Sequence, residues 1–341
     1  MSLPTAPRIL IIRRDNIGDL VCTTPLIAAL RRQLPGSWLG ALVNSYNAPV
    51  LDGNPDLDGA FAYTKAKHRG HDESLAGILW RRLMMMHGLR RMRLDDVILA
   101  NPSAQPRIVQ LARWLKPKRI IGFGNVGGLG VALPLDKQDR HEVEDVFRIA
   151  SVYGIEGPPP ACRIVVPVAG LPVPTLTIGI HISARKPSQR WPAQRFAETI
   201  RALAAQGPVR FMLLWSPGAQ DNPLHPGDDA KAQELLRAVG PGPAVIARPT
   251  QTLPELIAAL AECQAMICAD GGAMHLAAGL GLPIVCLFGD SGAQRWRPWG
   301  VPHRLLQTPS RDVADISVDQ VVDAFNALRA DTPIRAPGAP A

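Results

Sequence analysis

Three short clusters hold residues that could do chemistry. The first is Asp15-Asn16-Ile17-Gly18-Asp19. A carboxylate at Asp19, just past a glycine that lets the backbone turn sharply, could take a proton from an attacking hydroxyl. It could equally cap the helix that follows, and spacing leaves both roles open. The second cluster runs from His181 to Pro192 and holds Ser183 with three cations, Arg185, Lys186 and Arg190. Those cations could neutralise a departing diphosphate, or form an ordinary solvated loop. The third is Asp270-Gly271-Gly272-Ala273-Met274-His275. Unbonded N–H groups at a glycine-rich helix start suit a phosphate, and a fixed carboxylate at Asp270 suits sugar hydroxyls. A helix cap at Asp270 and a core imidazole at His275 are the plainer alternatives.

Each cluster needs a strand before it and a helix after it, and the pattern supplies both. The run 8–13 is apolar and rich in β-branched residues. After the Asp15–Asp19 turn, Leu26, Ile27, Leu30 and Leu34 recur at helical spacing, with Thr24-Pro25 as cap and first turn. Further strands are expected at 39–43, 97–100 and 119–122. Six prolines, at 158, 159, 160, 167, 172 and 174, then mark a linker. The alternation restarts beyond it, with strands at 175–182, 209–215, 265–269 and 283–288. Helices are expected at 192–205, 253–262, 273–280 and 317–329. Strands alternating with helices imply parallel α/β units, here a domain over 1–165 and another over 175–330. Ligands bind beyond the carboxyl ends of such strands, so a cleft between the domains is the expected site.

Several classes are excluded or disfavoured. A dinucleotide fingerprint is missing from the first turn, which has one glycine. Gly122-Phe123-Gly124-Asn125-Val126-Gly127 fits the spacing, but Gly130 and Pro134 spoil the helix it requires. Lys and Arg outnumber Asp and Glu by 37 to 29, a net +8 that favours an anionic partner. No run of eighteen apolar residues is present to span a membrane, and the first residues lack the pattern of a secretory signal. Cys22, Cys162, Cys263, Cys268 and Cys286 have no metal-site spacing and read as reduced core thiols. Neither Asp95-Asp96 nor Asp228-Asp229 is expected at a ligand-binding turn, so no metal and no cofactor are called for.

The Asp15–Asp19 turn with Thr23-Thr24-Pro25, the Arg190-Trp191-Pro192 segment and the Asp270–His275 loop, in this order, resemble the heptosyltransferases of glycosyltransferase family 9. The likeness runs from residue 8 to about residue 328. It implies a GT-B fold, two Rossmann-like parallel-sheet domains facing across a cleft. It implies an inverting, metal-independent transfer of heptose from ADP-heptose, or a related nucleotide-sugar, to a lipopolysaccharide inner-core acceptor. Asp19 maps to the base. Asp270, Gly272 and His275 map to the donor-binding loop, with Gly271, Ser183, Arg185, Lys186 and Arg190 as further donor contacts. The family commonly carries lysine two residues before the tryptophan, and Gln189 stands there instead. Two alternatives stay open: a nucleotide-sugar-binding accessory protein that has lost transfer, and a transferase with another donor or acceptor.

The stretch 65–93 holds eight basic residues against Asp72 and Glu73. With Asn16, its Lys65, Lys67 and Arg69 are candidate acceptor contacts. The expectation is a cytoplasmic protein whose basic lobe meets a phosphorylated lipid acceptor at the inner membrane surface, rather than nucleic acid. A surface helix is expected at 75–94. Arg82 and Arg93 fall in its apolar stripe, which favours contact with headgroups over insertion.

Overall fold

The computed structural model describes residues 6–63, 74–102, 105–135, 138–166, 175–219 and 227–332. The chain divides into two compact units, Met1–Val165 and Val166–Ala341.

In the first unit the strands are β1 (Arg8–Ile12), β2 (Trp38–Asn44), β3 (Gly59–Tyr63), β4 (Asp96–Leu99), β5 (Arg119–Phe123) and β6 (Val131–Leu133). They form one parallel sheet in the order β3-β2-β1-β4-β5-β6. Its helices are α1 (Ile17–Val21), α2 (Thr24–Gln33), α3 (Leu75–Arg91), α4 (Pro106–Trp114) and α5 (Glu142–Phe147). In the second unit the strands are β7 (Leu176–His181), β8 (Val209–Trp215), β9 (Ala244–Pro249), β10 (Ala265–Ala269), β11 (Ile284–Phe288) and β12 (His303–Gln307). They pair in parallel in the order β12-β11-β10-β7-β8-β9. Its helices are α6 (Ala193–Ala204), α7 (Asp229–Val239), α8 (Leu253–Ala261), α9 (Gly272–Gly279), α10 (Ala293–Trp296) and α11 (Val318–Asp331).

Each sheet therefore repeats the same doubly wound order, reversing direction between its first and fourth strands. The gap beyond the carboxyl ends of β1 and β4 is one switch point, and that beyond β7 and β10 is the other. Ile9, Leu10, Ile11 and Ile12 of β1 are buried, as is every residue of β10 and β11. Both faces of a parallel sheet are covered, so central strands read as unbroken apolar runs. One core packs Leu10, Ile12, Val97 and Leu99 against Met86 and Leu89 of α3. The other packs Ile178, Ile180, Phe211 and Ile267 against Trp191, Phe196, Ile200 and Phe325.

Three local expectations need correction. Thr23 and Thr24 do not cap α2; their hydroxyls donate back to the Asp19 and Val21 carbonyls, at 2.8 and 2.7 Å. Asp228-Asp229 does sit at a βα junction. Asp229 opens α7 and its carboxylate accepts the Trp215 indole N–H at 2.7 Å and the Gly218 N–H at 2.9 Å. Arg82 does lie among the core-facing residues of α3, stacked on the Tyr63 ring at 4.0 Å, but Arg93 falls off the stripe because α3 ends at Arg91 and Arg93 takes a φ of 51°. Asp95-Asp96, by contrast, lies at the amino end of β4, away from the switch point. Asp96 there takes a bidentate Arg119 at 2.7 Å through each oxygen and the Tyr153 hydroxyl at 2.8 Å.

Candidate active site

A cation, Arg13, follows β1 directly. Arg13 is 2 % exposed and points into the first switch point. Its Nη2 donates to Asp19 Oδ1 at 2.8 Å and to Glu142 Oε1 at 2.6 Å. Its Nε lies 3.3 Å from Asp15 Oδ2, and its Nη1 donates to the Ala100 carbonyl at the end of β4. Burial opposes the Arg13 charge, but Glu142, Asp19 and Asp15 outweigh it and raise its pKa. One guanidinium thus holds three carboxylates, two of them almost out of solvent.

Asp19 is fixed from its other side too. Its Oδ2 accepts the Asn16 backbone N–H at 2.8 Å and the Asn16 side-chain amide at 2.9 Å. The capping alternative is therefore partly realised, because this carboxylate closes the first turn of α1. It does not exclude the base, since a carboxylate oxygen holds two lone-pair sites. Asn16, expected at the acceptor, spends its amide on Asp19. Asn101, just past β4, donates to Asp15. Asp15 also faces Arg14, whose guanidinium lies 3.8 Å from the Tyr63 ring centre. Burial lowers the Arg14 pKa against the pull of Asp15. Lys65, Lys67 and Arg69 lie outside the described residues.

The second switch point gathers residues of three loops. Asp270, at the end of β10, is buried, and α9 has no side-chain cap. The capping alternative for Asp270 therefore fails. Its Oδ2 instead accepts from Gln189 Nε2 at 2.9 Å and from Ser291 Oγ at 2.5 Å. Among the described residues Oδ1 takes no hydrogen bond. The loop bearing Gln189 approaches the turn after β11 so closely that a Cβ on Gly289 would stand 2.2 Å from the Ser188 carbonyl oxygen. Only glycine fits there. Lys186 pairs with Asp290 across the same contact at 3.1 Å.

The other expected donor contacts vary. Ser183 Oγ accepts the Ser216 N–H at 2.9 Å, tying the ends of β7 and β8, and keeps its own proton to donate. Arg190 folds back on the Ala184 carbonyl at 3.1 Å. Arg185 is exposed, with no ion pair among the described residues. Gly271 and Gly272 open α9 with free space around Gly271. His275 is buried one turn on, edge-on to Trp296 with ring centres 6.0 Å apart. Trp191 is an anchor rather than a ligand group, its indole donating to the Ile316 carbonyl at 3.0 Å.

Sequence reasoning missed Arg13, Glu142, Ser291 and Lys231. Lys231 of α7 donates to the Ile182 carbonyl at 2.9 Å, and burial lowers its pKa to about 8, with Arg190 adding to that. Its charge and burial push the neighbouring His181 down to about 4, burial first. Among the described residues no group of three His, Cys, Asp or Glu side chains could hold a metal.

The chain has known counterparts in sequence and in fold. Residues 112–317 match the sequence model of glycosyltransferase family 9 (heptosyltransferase). Lipopolysaccharide heptosyltransferase 3 of Escherichia coli is 24 % identical over 303 residues, covering 83 % of each chain. The glycosyl transferase family 9 structure from Veillonella parvula superposes with a TM-score of 0.78 at 22 % identity, over 96 % of this chain and all of that one. Escherichia coli heptosyltransferase WaaC with ADP-2-deoxy-2-fluoro heptose gives 0.75 at 20 %, over 94 % and 99 %. The likeness to these structures shows the GT-B fold, and the two repeated sheet orders agree with it. With most of the second unit and the end of the first inside the matched region, the chain belongs to glycosyltransferase family 9, the heptosyltransferases.

Proposed function

We propose that this chain is an inverting transferase that moves a heptose from ADP-heptose to a lipopolysaccharide inner-core acceptor at the cytoplasmic face of the inner membrane. The observation that carries the reading is Asp19: a buried carboxylate at a sheet switch point, its orientation fixed by Arg13 on one oxygen and Asn16 on the other. Fixed geometry is what a general base needs. The acceptor hydroxyl gives its proton to Asp19 as its oxygen bonds to the anomeric carbon. The bond from that carbon to the diphosphate oxygen breaks, and ADP leaves with the electron pair. A single displacement inverts the anomeric configuration.

In this reading the diphosphate charge falls to Lys186, Arg185, Arg190, the Ser183 hydroxyl and the open amides of Gly271 and Gly272. Asp270 accepts a donor sugar hydroxyl through Oδ1, while Gln189 and Ser291 hold Oδ2. These groups need no metal to act. The bound fluoro-heptose nucleotide in the WaaC structure supports the choice of donor. A second reading rests on Gln189. An amide stands where the family commonly carries a cation, which fits a different donor or an accessory protein that binds without transferring.

The test is transfer from ADP-heptose by the wild type and Asp19→Asn, beside thermal shifts with ADP-, UDP- and GDP-sugars. Loss of a general base typically slows a reaction by about 10²–10⁴-fold. The variant should fold, bind donor and transfer that much more slowly. Near-normal turnover by Asp19→Asn removes it as the base. Donor binding by the wild type with no turnover on any acceptor favours the accessory reading.

A further inference from the structure

α3 is apolar on two opposite sides. Ile78, Met86 and Leu89 face the core of the first unit and are buried. At 100° per residue, Leu79, Trp80, Leu83 and Met84 fall on the other side. They are 60, 63, 52 and 49 % exposed. Two opposed apolar faces cancel in a periodicity analysis, which is why the stretch reads as poorly amphipathic. Between residues 74 and 94 there are five arginines, at 81, 82, 90, 91 and 93, and no Asp or Glu. Arg81, Arg91 and Arg93 are exposed.

We propose that this face of α3 docks on an anionic phospholipid bilayer, with Trp80 and its three apolar neighbours in the interfacial layer and the arginines on headgroup phosphates. Charge selects this occupant. A second copy would set the exposed Arg81, Arg91 and Arg93 against the same three cations, with no carboxylate between residues 74 and 94 of either copy, whereas an anionic surface complements them. The apolar group suits an interface that takes Trp, Leu and Met to a depth of about 5–10 Å. The docked helix also connects to the first switch point. Arg82 and Arg14 both stack on the Tyr63 ring, at 4.0 and 3.8 Å from its centre, and Arg14 adjoins Asp15. The proposal rests on the acceptor reading for its purpose, since it brings the Asp15–Asp19 turn toward a lipid-borne acceptor.

Vesicle flotation without nucleotide or sugar tests it. The probes are phosphatidylglycerol–phosphatidylethanolamine vesicles and pure phosphatidylcholine vesicles. The wild type should float with the first and stay behind with the second. Trp80→Ser/Leu83→Ser should weaken binding at least tenfold, because about half of each side chain's apolar area stays in water instead of lipid. Arg91→Gln/Arg93→Gln should weaken it about 25-fold, from roughly fivefold per cation near an anionic surface. Both pairs are exposed, so their melting curves should match the wild type. Failure of the wild type to float, or wild-type floating by both double variants, overturns the proposal. So does a concentration-dependent dimer in sedimentation that Trp80→Ser/Leu83→Ser abolishes, which gives the face to a second copy. Floating without transfer to any acceptor sinks the acceptor reading and leaves docking standing. Transfer to a deacylated acceptor without floating does the reverse.

Discussion

Arg13→Met should be among the most damaging single changes in the first unit. The side chain is 2 % exposed, and its Nη2 alone serves Asp19 at 2.8 Å and Glu142 at 2.6 Å. Methionine fills much of the volume but removes the guanidinium that Glu142, itself 2 % exposed, holds at 2.6 Å. Removing one partner of a buried pair costs about 3–5 kcal/mol, because the other charge stays buried. Glu142→Gln should cost far less, about 1 kcal/mol, since the amide oxygen still accepts from Nη2 and Arg13 keeps Asp15 and Asp19. In the double variant no Glu142 charge remains to miss that guanidinium. Its cost should therefore fall short of the two single costs added together by about 1.5 kcal/mol or more. Urea melts of the four proteins at pH 7, followed by far-ultraviolet circular dichroism, measure this cycle. Transfer rates on the same samples should fall in Arg13→Met beyond what stability explains, because Asp19 then keeps only Asn16. Costs that add within about 0.5 kcal/mol would refute the shared guanidinium as the organiser of the turn.

Asp270→Ala should weaken binding of the full nucleotide-sugar more than that of the free nucleoside diphosphate, by calorimetry, and cost about 1–3 kcal/mol of stability because the Gln189 amide keeps only its 3.4 Å contact with Ser291; equal losses for both ligands would remove the sugar contact. Burial holds His181 at about 4, with Lys231 pushing the same way, against an ordinary 6.5. The folded state thus resists a proton the unfolded chain accepts. Stability should be undiminished above pH 6.5 and fall as pH drops toward 4, by at most about 3 kcal/mol because His181 keeps some solvent contact. His181→Gln should flatten that part of the curve of urea midpoint against pH, and an unchanged slope would move the effect elsewhere.

What the sequence made legible follows from which groups are local. β1, β7, β10 and β11 lie inside their sheets, covered on both faces, and their apolar runs are plain. β9 is at an edge, largely exposed and ended by Pro249, and β12 at the opposite edge is half-buried, so neither shows a run. β6 is only three residues long. Asp19 and Asp270 are legible because a turn after a strand advertises a carboxylate. Glu142 is not, because its partner Arg13 is 129 residues away and an acidic first turn on α5 reads as dipole compensation. Arg13 did leave a signal, a cation as the first residue after a buried strand. Gln189 stood out only against the family pattern, and its bond to Asp270 spans 81 residues.

The buried cysteines have a practical consequence. None of the five is in a disulfide, and all are buried. Burial pushes Cys263 up to about 12 and raises Cys268 and Cys286 as well. Maleimides react with thiolate, so these native sulfurs compete poorly for a probe while the protein is folded. Dyes can therefore be placed on Gln33→Cys and Arg329→Cys, exposed positions in different units, without first stripping the chain of its own thiols. Energy transfer between such dyes gives a ruler for the separation of the two units, with and without nucleotide, in an otherwise unaltered protein.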